Sequence, residues 1–271
     1  MIESRNDQYL WVEKYRPQKI EDCILPEAMK NNFKQYLEQG ELPTFLFSGT
    51  AGVGKTTVAK ALCEEVGADW IMINGSDEGR QIDVLRNKIK NFASTVSLTD
   101  AKKVVIIDEA DYMNKDSVQP ALRNLMEDYS SSVRFILTCN YAHKIIPPLH
   151  SRFQDLHIAK TDHTEFTARV ATVLVSEGVE FDLDTLDSYV KATYPDLRKC
   201  LNLTQQNSTS GALNKPKEGN KSIGDWKLDC VHLFKTGKVR EARTLLCSQA
   251  QPEEMEEIFR WMYDNIDLFG K

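Results

Sequence analysis

Gly49–Thr56 reads GTAGVGKT, a complete GxxxxGK[ST] pattern. Gly49, Gly52 and Gly54 let successive backbone N–H groups curl around phosphate oxygens with no side chain in the way. A helix opening directly after such a loop adds the partial positive charge of its N-terminus. Lys55 is then placed to reach terminal phosphates, and the Thr56 hydroxyl to ligate Mg²⁺. A glycine-rich turn with a chance lysine is the bland alternative. The apolar run before the loop and the amphipathic stretch after it argue against that, so a nucleotide is expected here.

A second constellation is KVVIIDEAD at Lys103–Asp111. A buried strand ending in two carboxylates puts Asp108 where it can hold Mg²⁺ through water, and Glu109 where it can orient and polarise an attacking water. The second acid separates hydrolytic motors from nucleotide kinases, whose acceptor replaces water. A solvated acidic strand end is the alternative. The DEAD string suggests an RNA helicase, but nothing else of a helicase core is present and a second motor domain does not fit the remaining length. Asn140 ends the run FILTCN. Its amide either reports the γ-phosphate or simply forms a turn, as Asn at a strand end often does.

The elements that must position these residues are five short runs rich in β-branched and aromatic residues: Thr44–Ser48, Asp69–Asn74, Lys103–Asp108, Val133–Cys139 and Asp155–Ile158. Near-continuous apolarity of this kind predicts strands buried on both faces. Helix-length amphipathic stretches lie between them, notably Lys55–Val66, Arg80–Ser94 and Ser117–Tyr129. Strand alternating with helix predicts an α/β fold with a mainly parallel sheet and helices on both sides. Pro120 suits the first turn of the last helix if Ser117 caps it. Beyond residue 160 the strand signal stops, and Thr164–Glu177, Leu183–Thr193 and Pro195–Gln206 read as the helices of a small lid. Ser208–Lys221 is polar, with Gly, Pro and Asn, and reads as a linker. A last helical block, Ile223–Phe269, is broken near Gly237 and Pro252. The expected division is 1–160, a nucleotide-binding domain; 161–207, a lid; 208–222, a linker; and 223–271, a short C-terminal helical domain.

Composition bounds the function. The 271 residues suggest two or three domains, and 41% hydrophobic with 27% charged residues is the balance of a globular protein. The formal charge of −6 excludes a surface positive all over, though not a local basic stripe. The cysteines at 23, 63, 139, 200, 230 and 247 form no CxxC pair, so zinc-ribbon and thioredoxin-type readings fail on spacing. They are expected to pack as small buried hydrophobes. His143, His150, His157, His163 and His232 show no ligand spacing. The charged N-terminus lacks the apolar segment of a signal peptide, and no apolar run approaches bilayer length, so no membrane is expected and the protein reads as cytoplasmic.

In order along the chain come WVEKYRP at Trp11–Pro17, the glycine-rich loop, NGSDEGRQIDVLRNKIKNFA at Asn74–Ala93, IIDEAD, PALRNLMEDYS at Pro120–Ser130, TCN, SR at Ser151–Arg152 and PDLRK at Pro195–Lys199. Together, over residues 9–205, they resemble the small subunit of sliding-clamp loaders, the replication factor C branch of the AAA+ ATPases. DCILPEAM at Asp22–Met29 looks more like the T4-type bacteriophage loader subunit than cellular members.

The resemblance implies an AAA+ P-loop NTPase with a five-stranded parallel sheet, ATP and Mg²⁺ as cofactors, and loading of a sliding clamp onto primer–template DNA, in a phage-infected bacterial cell. It implies assembly of several copies, with one different clamp-loader subunit, into a ring or spiral. Val12, Glu13, Lys14, Tyr15 and Ile24 match positions around the adenine. Gly52, Val53, Gly54, Lys55, Thr56 and Thr57 match the phosphate loop, Asp108 and Glu109 the metal and catalytic acids, and Asn140 the γ-phosphate sensor. Arg198 matches a lid arginine acting on its own subunit's ATP. Arg152 matches an arginine finger acting on the neighbour's, although Phe153 stands where the family usually has Cys. Arg80, Arg86 and Lys90 belong to a helix that tracks the DNA backbone, with Arg86 and Lys90 on one face by their i, i+4 spacing. The resemblance also suggests that Arg123 couples DNA to the ATP site. The block after the linker is short for the family's collar. Alternatives are another AAA+ remodeller, for which an aromatic pore loop is expected instead of a basic helix; a P-loop small-molecule kinase, which needs no Glu109, Arg152 or Arg198; and an ATP-binding scaffold without hydrolysis, against which Lys55, Asp108 and Glu109 speak.

Overall fold

The computed structural model of the chain describes residues 9–77, 81–95, 101–208, 211–214, 230–231, 233–249 and 255–264. Its centre is a five-stranded parallel sheet in the order β2-β3-β4-β1-β5. The strands are β1 (Phe45–Ser48), β2 (Asp69–Asn74), β3 (Lys103–Asp108), β4 (Val133–Cys139) and β5 (Gln154–His157). The helices around and after it are α1 (Trp11–Lys14), α2 (Glu27–Gln39), α3 (Lys55–Glu65), α4 (Ile82–Ser94), α5 (Val118–Asp128), α6 (Pro147–His150), α7 (His163–Ser176), α8 (Leu183–Thr193) and α9 (Leu197–Gln206).

Alternation along the central strands splits the core in two. Val105 and Ile107 of β3, Phe135 and Leu137 of β4, and Leu46 of β1 pack with Leu85 and Ile89 of α4 and Leu122 and Met126 of α5. Val104, Ile106, Ile136, Phe45 and Phe47 face the other way, onto Phe33 of α2 and Val58, Ala59 and Leu62 of α3. Burial on both faces is real for β1, β3 and β4 but not for the edges. Of β2 only Ile73 is buried, and Met72 is 42% exposed; β5 has no buried residue. An edge strand has one neighbour and less helix cover, so its apolar side chains stay partly wet. The fifth strand also begins one residue earlier than its apolarity suggests, because Gln154 pairs with Phe45 through the backbone, whatever its side chain.

Pro120 lies in the first turn of α5 as expected. The Ser117 hydroxyl makes no cap bond, however; the Asn114 side-chain oxygen accepts from the N–H groups of Asp116 (2.8 Å) and Ser117 (3.0 Å) instead. Lys103, buried at the start of β3, donates to the carbonyls of Phe92 (2.8 Å) and Ala93 (3.2 Å) and so closes the C-terminus of α4. A cation there satisfies orphan carbonyls and complements the helix dipole.

The chain divides into two compact units, Met1–Val173 with Pro195–Asn202, and Leu174–Tyr194 with Leu203–Lys271. In the second, Asp182 caps α8 by accepting from Thr185 N–H, and Tyr189 donates its hydroxyl to Asn214 O at 2.8 Å. Helices Val239–Gln249 and Met255–Asp264 bury a small cluster around Cys230, Ala242 and Ile258. Most of the expected linker, residues 215–222, lies outside the described residues. The cysteines are free, and five are buried as expected; Cys247 is exposed.

Phe33 tests the core beneath the sheet. It is fully buried, with its ring edge-on to Phe45 and Phe47 at centroid distances of 5.8 and 6.1 Å. Phe33→Ala should lower the unfolding free energy by about 3–5 kcal/mol, read as a shifted urea midpoint with an unchanged m-value.

Candidate nucleotide-binding site

The alternation that builds the two cores also aims the site. Asp108 follows Val104 and Ile106 on one face of β3, Thr138 follows Ile136 on the same face of β4, and Asn140 comes just past the end of that strand. These polar residues emerge at the C-terminal edge of the sheet, on the side where α3 begins. Between β1 and α3 the glycine-rich loop turns through positive φ at Gly52 (77°) and Gly54 (95°). Gly49 passes so close to the chain after β5 that a Cβ there would lie 2.4 Å from Ile158 O, so only glycine fits.

Lys55 opens α3 and is buried, at 8% exposure. Its ammonium donates to Gly49 O (3.1 Å), Thr50 O (2.8 Å) and Asn140 Oδ1 (2.8 Å). Burial pulls its pKa below the usual lysine value, partly offset by negative groups around it, Asp108 and Asp111 among them. Beside it the Thr56 hydroxyl donates to Asp108 Oδ1 at 2.8 Å. Asp108 Oδ1 also accepts the Thr138 hydroxyl, whose oxygen in turn accepts from Glu109 N–H at 3.2 Å. Among the described residues Glu109 is the one non-glycine with positive φ, at 54°. Its backbone is packed against Gly75, whose N–H donates to Asp108 O at 2.7 Å and where a Cβ would lie 2.6 Å from Glu109 O.

A cleft in the first unit joins these groups to the segment before α2. Val12, Tyr15 and Ile24 line it, as do residues 52–57, Asp108, Glu109, Asn140 and Arg198. Glu13 and Lys14 do not: the Glu13 carboxylate is turned to Arg16, and the Lys14 ammonium lies 5.4 Å from the Tyr15 ring centroid. Arg152 does not line the cleft either. It follows α6, donating to Pro148 O at 2.7 Å and pairing with Glu127 of α5. Phe153, the departure from the family pattern, is buried in the α4–α5 core. Arg86 and Lys90 are exposed on α4, each one position after a buried residue, Leu85 and Ile89, whereas Arg80 lies outside the described residues.

Sequence reasoning missed several residues that hold this arrangement. Arg16 and Arg169 line the cleft, and Arg169 donates to Asp22 O beside it. Gln119 is fully buried; its amide donates to Met113 O (3.1 Å) and Lys144 O (3.0 Å) and accepts from Ile146 N–H (2.8 Å). It thereby ties the turns after β3 and β4 together. A glutamine in an amphipathic helix carries no local mark of this role.

The donor set suits a magnesium nucleotide. A hydroxyl and a carboxylate stand together at the helix N-terminus, which is the ligand chemistry of Mg²⁺ held by few protein oxygens. Lys55 and the loop amides supply the positive potential a polyphosphate needs. Among the described residues no cluster of His, Cys, Asp or Glu is arranged to hold a metal by itself.

Phosphate loop, acidic strand end and parallel sheet define a P-loop nucleotide-binding protein of the AAA class, and the ATPase family associated with various cellular activities (AAA) matches residues 45–161. The chain belongs to the family of replication factor C small subunits. It is 41% identical to that of Methanocella arvoryzae over 74% of this chain and 63% of the relative, and 35% identical to that of Picrophilus torridus over 88% and 77%. It spans a little under two thirds of the length of the first of these relatives. Among solved structures, Thermotoga maritima RuvB has the same fold, with a TM-score of 0.67 and 16% identity over 92% of this chain and 91% of that one.

His150 provides a pH test of the segment carrying Arg152. Its Nδ1 lies 2.6 Å from Asp155 Oδ2, and its Nε2 lies 3.0 Å from Ala142 O. Burial opposes the charged ring, but these partners outweigh it and raise the pKa above 6.5. The stabilisation is therefore full below about pH 6.5 and is lost as pH rises through the raised value. The melting-temperature advantage over His150→Gln should shrink from about pH 6 to pH 8; an advantage independent of pH would show that the pair is not ionic.

Proposed function

We propose that the chain is the ATP-hydrolysing subunit of a clamp loader, which opens a sliding clamp and places it on primer–template DNA during replication. The carrying observation is the convergence of Lys55, the Asp108–Glu109 pair and Asn140 at one sheet edge, in a chain of the replication factor C small-subunit family. Lys55 exchanges its carbonyl partners for terminal phosphate oxygens. Thr56 and Asp108 hold Mg²⁺, which when bound neutralises charge on the transferring phosphoryl group. Glu109 orients and polarises the attacking water, and Asn140 detects the γ-phosphate. Val12, Tyr15 and Ile24 enclose the adenine, with Glu13 and Lys14 between Val12 and Tyr15 in the chain.

Arg198 lines the cleft of its own chain and Arg152 does not, which supports opposite assignments for the two. Arg198 acts on its own ATP. Arg152 is the finger supplied to the neighbour, so hydrolysis requires correctly stacked subunits. Copies of this chain with one different subunit close into a spiral when ATP binds, grip the opened clamp, and release it after hydrolysis. Differential affinity of the ATP and ADP states for clamp and DNA drives the cycle. Arg80, Arg86 and Lys90 follow the DNA backbone, reading shape and not sequence. Residues 1–160 form the ATPase domain, 161–207 the lid and 223–271 a reduced collar. The segment DCILPEAM at Asp22–Met29 supports a T4-type phage origin, and hence the cytoplasm of an infected bacterial cell.

Steady-state ATP hydrolysis with and without primer–template DNA tests this reading, with candidate clamp and partner subunits added. Strong stimulation by DNA is expected; hydrolysis indifferent to every one of these additions overturns it. Arg152→Ala should lower the stimulated rate by about 10³-fold or more while ATP binding stays intact. Loss of binding would instead place Arg152 in its own site.

A further inference from the structure

Thr138 is 1% exposed and lies on β4 one residue past the Ile107–Leu137 pair, beside the end of β3. Its hydroxyl donates to Asp108 Oδ1, and its oxygen accepts from Glu109 N–H at 3.2 Å. The direction of both bonds is forced. An ionised carboxylate can only accept and a backbone N–H can only donate, so one hydroxyl fills both needs in a single orientation. Asp108 Oδ1 is thus held from two sides, by Thr138 of β4 and by Thr56 of α3. Glu109, next along, depends on the same hydroxyl for its N–H while its backbone stands at φ 54° and ψ 42°. Cys139 alternates to the opposite core and offers no substitute.

We infer that Thr138 is a positioning residue for the hydrolytic site: its hydroxyl fixes the Asp108 carboxylate toward Mg²⁺ and pins the left-handed backbone that aims Glu109. The inference rests on the roles proposed above for Asp108 and Glu109. Outer partners of a metal-binding carboxylate typically contribute 10–100-fold to metal affinity or activity. A threonine that only filled the strand would affect stability and nothing else.

The test uses the full chain with Thr138→Val, which keeps the shape and loses the hydroxyl, Thr138→Ser, which keeps the hydroxyl, and Asp108→Asn. One readout is the Mg²⁺ concentration needed for a non-hydrolysable ATP analogue to raise the melting temperature. The other is kcat against KM for ATP in the DNA-stimulated reaction. Thr138→Val should raise the Mg²⁺ requirement and lower kcat, each by about 10-fold or more, with the magnesium-free affinity for the analogue unchanged. Thr138→Ser should restore both. Where the valine variant does not fold, Thr138→Ala removes the same hydroxyl and carries the same expectation. A hydroxyl-free variant with wild-type Mg²⁺ response and kcat overturns the inference. Asp108→Asn with a wild-type Mg²⁺ response overturns the site reading beneath it.

Discussion

Parallel strands buried on both faces must send alternate side chains into two different cores, and in this chain that constraint decides which polar residues can meet. Val104 and Ile106 commit Asp108 to the α3 side of the sheet, and Ile136 commits Thr138 to the same side, with Asn140 just beyond the strand end. Phe45 and Phe47 bring β1 to its end with the glycine loop rising above that core. A register shift of one residue in any of these strands would send its acid or amide into the α4–α5 core. The apolar residues of the sheet are therefore as much a part of the site as the polar ones.

Electrostatics adds a second requirement, because the same edge gathers a buried ammonium and carboxylates in little space. Lys55 is held by two loop carbonyls and the Asn140 amide oxygen, while burial pulls its pKa down and nearby negative groups, Asp108 and Asp111 among them, partly offset that. Lys103, equally buried, is held by neutral acceptors of the same kind at the end of α4. Position separates the two lysines: Lys55 lines the cleft at the N-terminus of α3, whereas Lys103 closes the C-terminus of α4.

Much of this was legible beforehand. The bounds of β2, β3 and β4 follow from apolar runs flanked by charged and turn residues, and the phosphate loop from its glycine spacing. The edge strands were less so, since composition does not say which strand has only one neighbour. Gln119 was invisible for a related reason: it acts through partners 25 or more residues away and its local sequence is ordinary, whereas Thr138 and Gly75 lie within family motifs that do not say what each one holds. Glu13 and Lys14 show the converse. The family pattern includes them, but within one short helix only some of the side chains can turn to the cleft.

The left-handed backbone at Glu109 also constrains how this sequence can drift. Holding a side chain in that region costs roughly 1–3 kcal/mol, and glycine or asparagine would escape most of it. Selection for a sturdier fold and selection for a carboxylate at this position therefore pull in opposite directions. Replacing Glu109 with glycine would relieve that backbone, so a carboxylate is held here at some expense to the stability of the fold.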